Sequence, residues 1–117
     1  MPDLNRLCRK WQRLLRLQDW DVKIRWATGA DDQTGDCATC KHWDQEKFAL
    51  IRVTPPDQRT TSAEFHEETD VEADVVHELL HLHFAPFESP DDSPEATSQE
   101  QAINLIACAL VALDRKD

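Results

Sequence analysis

The sequence lacks any apolar run long enough to cross a membrane, and it shows no signal peptide. We therefore expect a cytoplasmic protein with reduced cysteines and no membrane partner. Basic residues are also scarce, since 13 Lys and Arg against 23 Asp and Glu give a formal net charge of −10. A chain this acidic is not expected to bind nucleic acid. Repeats and low-complexity tracts are absent, and the length predicts one small domain spanning residues 1–117.

The most informative stretch is His77-Glu78-Leu79-Leu80-His81, which has the form H-E-x-x-H. Residues four apart on an α-helix lie on one face, so His77 and His81 can present two imidazole nitrogens to one metal ion. Glu78 is displaced around the helix, where it can reach a metal-bound water without ligating the metal. The spacing predicts a zinc site with Glu78 as its general base.

The residues around the motif predict an α-helix. Thr69 and Glu72 have the spacing of a capping box, and the helix is expected to end before Pro86. Asp74 lies one turn before His77 and could orient a metal ligand or could be a solvated charge near the helix N-terminus. The core-facing stripe is formed by Val71, Val75, Leu79 and Leu82.

A zinc ion held by two histidines needs a third protein ligand. The form with a third histidine, H-E-x-x-H-x-x-G-x-x-H, is excluded because Phe84 and Phe87 occupy its glycine and histidine positions. The other common ligand is a glutamate from a following helix. We expect that helix to open at about Ser98–Asn104, with Glu100 as ligand and Asn104 supporting it one turn later. Glu95 is the rival ligand.

These residues resemble the gluzincin group of zinc metallopeptidases, and in size its compact members, the minigluzincins. The resemblance is carried by His77, Glu78, His81 and a Glu100-x-x-x-Asn104 helix, and it covers roughly residues 69–113. Gluzincins carry Glu-x-x-x-Asp in that second helix, so Asn104 departs from the pattern. The resemblance implies hydrolysis of peptide bonds by zinc-activated water, in a zincin-like domain.

The rest of the chain predicts an α+β fold, in which a small antiparallel sheet of about three strands packs against three helices. Apolar residues at helical spacing over residues 4–17 predict an N-terminal helix, whose basic outer face is expected to be solvated. Alternation in Trp20–Trp26 predicts a half-buried strand. A second strand is expected at Phe48–Val53, and Gly35–Trp43 could supply a third.

The sequence allows two alternative roles for each of two segments near the motif. The strand at Phe48–Val53 could offer an exposed edge that pairs with an extended substrate, or could be purely structural. The polar segment from Asp57 to Glu68 could be a mobile lid over the site or a solvated connection.

Cys37 and Cys40 form a C-x-x-C, with His42 two residues further on. A second, structural zinc would need a fourth ligand, and the chain contains no second C-x-x-C. Nor does the pair open a helix after a strand, as thioredoxin-like redox sites do. Three interpretations stay open: reduced or incidental thiols, a structural metal site, or a redox pair.

The chain contains no tyrosine, the residue that many zinc peptidases use to stabilise the developing oxyanion. The remaining donors are His42, His66 and His83. His83 follows His81 by roughly 200° around the helix, so we expect it to face away from the metal. His66 is therefore the preferred catalytic donor beside Glu78.

Two functions follow from this sequence. The first is a zinc metallopeptidase acting on peptide or protein substrates, with Zn²⁺ on His77, His81 and Glu100. The second is a zincin-like module that keeps the metal, binds a peptide or partner, and does little catalysis. The presence of Glu78 favours the first function, whereas the small size and the missing tyrosine favour the second.

Overall fold

A computed structural model describes residues 2–28, 37–58, 70–90 and 92–116. In chain order, the elements are α1 (Leu4–Leu14), β1 (Asp21–Trp26), β2 (Ala38–Trp43), β3 (Phe48–Val53), α2 (Val71–Phe84) and α3 (Pro94–Arg115). Short 3-10 turns lie at Pro56–Gln58 and Ala85–Phe87. Three helices and a three-stranded sheet make an α+β fold, and the predicted fold class is confirmed.

The sheet has the strand order β1-β3-β2 and is mixed rather than antiparallel throughout. β2 and β3 are antiparallel, because only the turn at residues 44–47 separates them. β1 pairs in parallel with β3, in a register that places Asp21 opposite Phe48 and Trp26 opposite Val53. The parallel pairing is possible because the chain between β1 and β3 is long enough to return to the same end of the sheet.

This order corrects one expectation about the substrate. The prediction that Phe48–Val53 offers an exposed edge is wrong, because β3 is the central strand and is paired on both sides. Ala49, Ile51 and Val53 of that strand are fully buried. The edge strand of the same hairpin is β2.

One hydrophobic core joins the sheet to all three helices. Its largest fully buried side chains are Ile51, Leu79, Ile103, Val53, Val75 and Val76. α1 contributes Leu4, Cys8 and Trp11. Among the described residues, no helix combines the length and the apolar character that a bilayer crossing requires.

α2 begins one residue later than the capping-box pattern predicts. Asp70 is the N-cap, and its Oδ1 accepts a hydrogen bond from the Ala73 backbone N–H at 3.1 Å. The helix ends at Phe84, before Pro86, as predicted. Thr69 lies outside the described residues.

α3 begins earlier than expected, at Pro94 rather than near Ser98. Ser93 caps it, with Oγ accepting from the Ala96 N–H at 3.0 Å, and Pro94 takes the first helical position, where its missing N–H costs nothing. Glu100 therefore lies in the second turn of α3 rather than at its start.

Glu72, which the sequence assigned to a capping box, instead joins the three helices. Its Oε2 accepts from Lys10 Nζ at 2.9 Å and from Trp11 Nε1 at 2.6 Å, and its Oε1 accepts from Arg115 Nη2 at 3.1 Å. Arg115 also donates to both carboxylate oxygens of Asp70, at 2.8 and 3.1 Å. The N-terminus of α2 is thus held to α1 and to the C-terminus of α3.

We expect Glu72→Gln to lower the free energy of unfolding by about 1.5 to 3 kcal/mol, the usual range for hydrogen bonds to a charged group. Glutamine keeps an acceptor for Trp11 but removes the charge that Lys10 and Arg115 face. Chemical denaturation at neutral pH measures the loss. Glu46→Gln, which changes an exposed acid in the β2–β3 turn, is the control and should stay within about 0.5 kcal/mol of the parent.

The same cluster predicts how stability varies with pH. Burial acts to raise the pKa of Glu72, but hydrogen bonds from Trp11, Lys10 and Arg115 outweigh it and lower the pKa overall. The pKa of Asp70 is lowered in the same way, with burial opposed by Arg115 and the Ala73 N–H. A carboxyl with a lowered folded-state pKa contributes stability above its unfolded pKa of about 4, and this is lost as pH falls through the folded value. The acid loss of stability should be shallower in Glu72→Gln than in the parent, and parallel curves would contradict this role.

Candidate metal centre

The two histidines of the motif converge on Glu100, across the contact between α2 and α3. His77 Nε2 lies 2.6 Å from Glu100 Oε1, and His81 Nε2 lies 3.1 Å from Glu100 Oε2. The imidazole centroids are 5.2 Å apart, as expected for residues one helical turn apart. The structure therefore brings the three predicted metal ligands together, with one carboxylate touching both ring nitrogens.

Glu78 lies beside this group but further from it. Its Oε2 is 3.9 Å from His77 Nε2, and it is the buried charged residue of the described core, with 7% of its surface exposed. His77, Glu78 and His81 form a group whose ligand atoms lie within 4.8 Å of one another and could hold a metal ion. Glu100 is closer to His77 than Glu78 is, at 2.6 Å against 3.9 Å, and Glu100 also contacts His81.

A cavity of about 560 Å³ opens over the group. One wall is the start of the edge strand β2, and the others are α2 and α3; its lining comprises Cys37, Ala38, Thr39, Cys40, Asp74, His77, Glu78, His81, Glu100 and Asn104. Asp74 therefore faces the metal group, with its Oδ2 shielded from solvent, rather than standing as a solvated charge. Asn104 lines the cavity one turn after Glu100, where the sequence placed it.

Glu95, the rival ligand, does not reach this cavity. It lies exposed in the first turn of α3, more than one turn before Glu100, and it is not part of the lining. The difference follows from helix geometry, because residues five apart are rotated by roughly 140° relative to each other.

The electrostatics around His81 favour the neutral imidazole that a metal requires. Burial lowers the pKa of His81, and the nearby His77 and His42 lower it further, while Glu100 and Glu88 act in the opposite direction. A neutral ring offers a lone pair at one nitrogen and an N–H at the other. At neutral pH the His81 imidazole is therefore expected to be uncharged, with a lone pair that can bind a metal ion.

Glu88 is a site residue that the sequence reasoning missed. It lies between α2 and α3, and its Oε1 is 3.9 Å from His81 Nδ1 and 3.4 Å from His42 Nε2. His42 Nδ1 in turn lies 2.6 Å from Asp44 Oδ1. At 3.9 Å the carboxylate is too far from His81 for a hydrogen bond, but its charge acts on the imidazole and opposes the lowering of the His81 pKa by burial. The signal available in the sequence was an acid soon after the second motif histidine, but a surface connector looks the same.

Of the three histidines considered as oxyanion donors, the structure describes His42 and His83, and neither is among the residues that line the cavity. His83 Nε2 pairs with the Leu15 backbone oxygen at 2.6 Å, so it faces away from the metal group as predicted. His42 is directed to Asp44 and Glu88. His66, the preferred donor, and the proposed lid around it lie outside the described residues.

No disulfide joins any of the four cysteines. The raised pKa of Cys40 disfavours its thiolate form. Burial, reinforced by the carboxylates of Glu78 and Glu88 and by Cys8, raises the pKa of the Cys40 thiol to about 12. Disulfide exchange requires the thiolate, so the raised pKa disfavours a redox pair. Over residues 2–28, 37–58, 70–90 and 92–116, Cys37, Cys40 and His42 do not gather into a metal-binding group. The geometry supports reduced thiols among the three interpretations.

Comparison of the chain with models of protein families, with curated proteins and with solved structures finds no match.

Proposed function

We propose that this protein is a zinc metallopeptidase. The observation that carries the proposal is the carboxylate of Glu100, which lies against Nε2 of both His77 and His81 while Glu78 stands buried beside them. Two imidazoles from one helix and a glutamate from the next form the ligand set of a His₂Glu catalytic zinc site.

The donor set supports zinc as the metal. Two neutral nitrogens and one carboxylate suit zinc better than calcium or magnesium, which prefer oxygen ligands alone. Three protein ligands would leave a coordination position open, which distinguishes a catalytic site from a closed structural one. Zinc bound there would act as a Lewis acid toward a carbonyl oxygen and lower the pKa of water toward neutrality.

Glu78 is proposed to move the proton. Its carboxylate faces the cavity from the buried side, where it could accept a proton from the attacking water and deliver it to the leaving amine. Burial away from solvent strengthens the electrostatic effect of this charge on the reacting atoms. A site that only stabilises the fold has no need of such a base.

The edge strand β2 is the proposed binding surface for the substrate. Residues 37–40 form the wall of the cavity, and β2 is paired with β3 on one side only among the described residues. An extended peptide could pair with the outer edge of β2 and so hold one peptide bond over the metal group. With a net charge of −10, the protein would favour neutral or basic peptides.

One observation favours the second function, a peptide-binding module that keeps the metal with little catalysis. The chain has no tyrosine, and His42 and His83 are engaged elsewhere, so the described residues offer the oxyanion no histidine or tyrosine donor. Hydrolysis would then be slow unless His66 supplies the donor. The edge of β2 would bind a peptide equally well in either case.

A peptide-library digestion tests the proposal. The zinc-loaded protein is incubated with unstructured peptides, the products are identified by mass spectrometry, and His77→Ala is run in parallel. We expect cleavage that disappears after chelation, returns with zinc and is absent from His77→Ala. Cleavage that survives chelation, or none from protein shown to hold one zinc per chain, would contradict a peptidase, and peptide binding without cleavage would support the second function.

Glu88 gives a further prediction at the same site. Glu88→Gln keeps the size of the side chain but removes the charge beside His81 Nδ1, so we expect zinc to bind roughly tenfold more weakly, in the range found for outer partners of metal ligands. Competition with a chromophoric chelator measures the dissociation constant.

The matched control is Asp92→Asn, in the same connector. Asp92 has a left-handed backbone (φ 67°), which asparagine tolerates equally well, so this variant also removes one charge without straining the turn. Zinc affinity in Asp92→Asn should match the parent. Equal affinities in both variants would show that Glu88 does not act on His81.

A further inference from the structure

α3 carries two apolar stripes, and the described structure covers only one of them. Ile103, Ala107 and Val111 are buried against the core. Leu105 is 70% exposed, Leu113 66% and Ile106 40%. Three exposed alanines, Ala102, Ala109 and Ala112, lie among them. We call these six exposed residues the outer stripe.

The outer stripe has the geometry of a helix-packing face. At about 100° per residue, its members fall within an arc of roughly 120°, and they extend for about 16 Å along the axis. Between residues 102 and 113 only Asn104 is polar. A helix that is apolar around most of its circumference is normally buried on more than one side.

The rest of the chain offers little to cover this face. Two internal segments longer than one residue, 29–36 and 59–69, lie outside the described structure. Their sequences are mainly polar, and Phe65 is their one large apolar residue. Contiguous exposed apolar patches on soluble proteins are often interaction sites. A specific interface buries about 1,000 Å² in total, so a dimer would use the surfaces beside the outer stripe as well.

Five of the six residues of the outer stripe have the same spacing in either direction along α3 about Ala109; the sixth, Ala102, would lie opposite Lys116, just beyond the end of the helix. Leu105 and Leu113 each lie four residues from Ala109. In an antiparallel pair with its two-fold axis at Ala109, Leu105 meets Leu113 of the other copy, Ile106 meets Ala112, and the two Ala109 residues meet at the crossing. Large residues then face small ones or each other, and a small residue at the centre allows the helices to approach closely.

We propose that the outer stripe binds a second copy of this chain, forming a two-fold dimer through antiparallel α3 helices. No charged residue lies within the stripe. The net charge of −10 on each copy opposes association over a distance, but salt screens that repulsion while leaving the apolar contact intact. The dimer should therefore become tighter as salt is raised.

This interface leaves the metal cavity open. Glu100 lies roughly 180° around α3 from the centre of the outer stripe, at about 100° per residue. The two cavities would face away from the dimer contact, and the proposal does not depend on the proposed function.

Sedimentation velocity over the micromolar range tests the dimer. We expect twice the mass of the chain, with a dissociation constant that falls as salt rises. Ala109→Glu places two like charges at the crossing and should weaken association by about a hundredfold or more. Because Ala109 is exposed in the single chain, the substitution should leave the circular dichroism spectrum unchanged.

Two controls make the assignment specific. Gln101→Glu adds the same charge at an exposed position of α3 outside the outer stripe and should leave the dimer intact. Mixing Ala109→Glu with Ala109→Lys should restore a dimer, since opposite charges then meet at the axis. A parent chain that stays monomeric, an Ala109→Glu variant that stays dimeric, or a mixture that stays monomeric would each overturn the proposal.

Discussion

Replacing Glu78 with glutamine is expected to lower kcat by about a thousandfold, within the range attributed to general acid–base catalysis. Glutamine has the same size and can still hydrogen-bond, but it cannot accept a proton from water. The metal group should stay intact, because Glu100 rather than Glu78 lies closest to His77 and His81. The measurement is zinc-dependent hydrolysis of a peptide identified in the library digestion, with zinc content determined on the same preparation.

The result separates the two proposed functions. A peptidase loses turnover in Glu78→Gln while keeping one zinc per chain and its affinity for the peptide. A binding module keeps its affinity for the peptide, which is its main activity, since binding does not need a base. Unchanged hydrolysis in Glu78→Gln would contradict the proposed role of Glu78 as general base. Loss of zinc would mean that Glu78 is itself a ligand.

The second large effect is expected at Glu100. We predict that Glu100→Gln weakens zinc binding on the order of a hundredfold or more, since losing a direct ligand should cost at least as much as losing an outer partner. The Glu100 carboxylate contacts Nε2 of both imidazoles, through one oxygen each. Elemental analysis after dialysis, followed by chelator competition, measures the loss.

Glu95→Gln is the matched control, because it removes the same charge from the same helix, one and a half turns earlier. It should bind zinc as the parent does. Zinc lost from Glu95→Gln and retained by Glu100→Gln would reverse the assignment of the third ligand. Equal retention by both would point to a carboxylate beyond these two.

The sequence was informative wherever the signal lies within one helix. The spacing of His77 and His81 required a single face of α2, and Pro86 set the end of that helix. Glu100 followed from the chemistry of a His₂ site, which needs a carboxylate on the next helix. Each of these inferences depends on neighbours within a turn or two, or on the requirements of the metal.

The strand order could not be obtained in the same way, because pairing between β1 and β3 joins segments more than twenty residues apart. A signal was nevertheless present in β3. Phe48-Ala49-Leu50-Ile51 is a continuous apolar run, which is typical of a strand covered on both faces, whereas β1 alternates. A strand with this pattern belongs at the centre of the sheet, which leaves β1 and β2 as the edges that a substrate could reach.

Acidic residues were the hardest to assign. Glu72 looked like part of a local cap and Glu88 like a solvated connector, yet both have partners distant in the sequence: Trp11 for Glu72 and His42 for Glu88. A carboxylate side chain has the same sequence signature whether it faces water or a buried donor. Only the packing of the helices decides which donor it meets.

Two side-chain contacts join α2 to α3: Asp70 with Arg115, and His77 with Glu100. They close loops of 45 and 23 residues. Both contacts are present without an ion, and an ion bound at the proposed zinc site would strengthen only the second. Losing such an ion would weaken the closure of the shorter loop alone, which would favour fraying of the N-terminal turns of α3. Metal occupancy would in this way set how ordered one half of a single helix is, while the other half keeps its place.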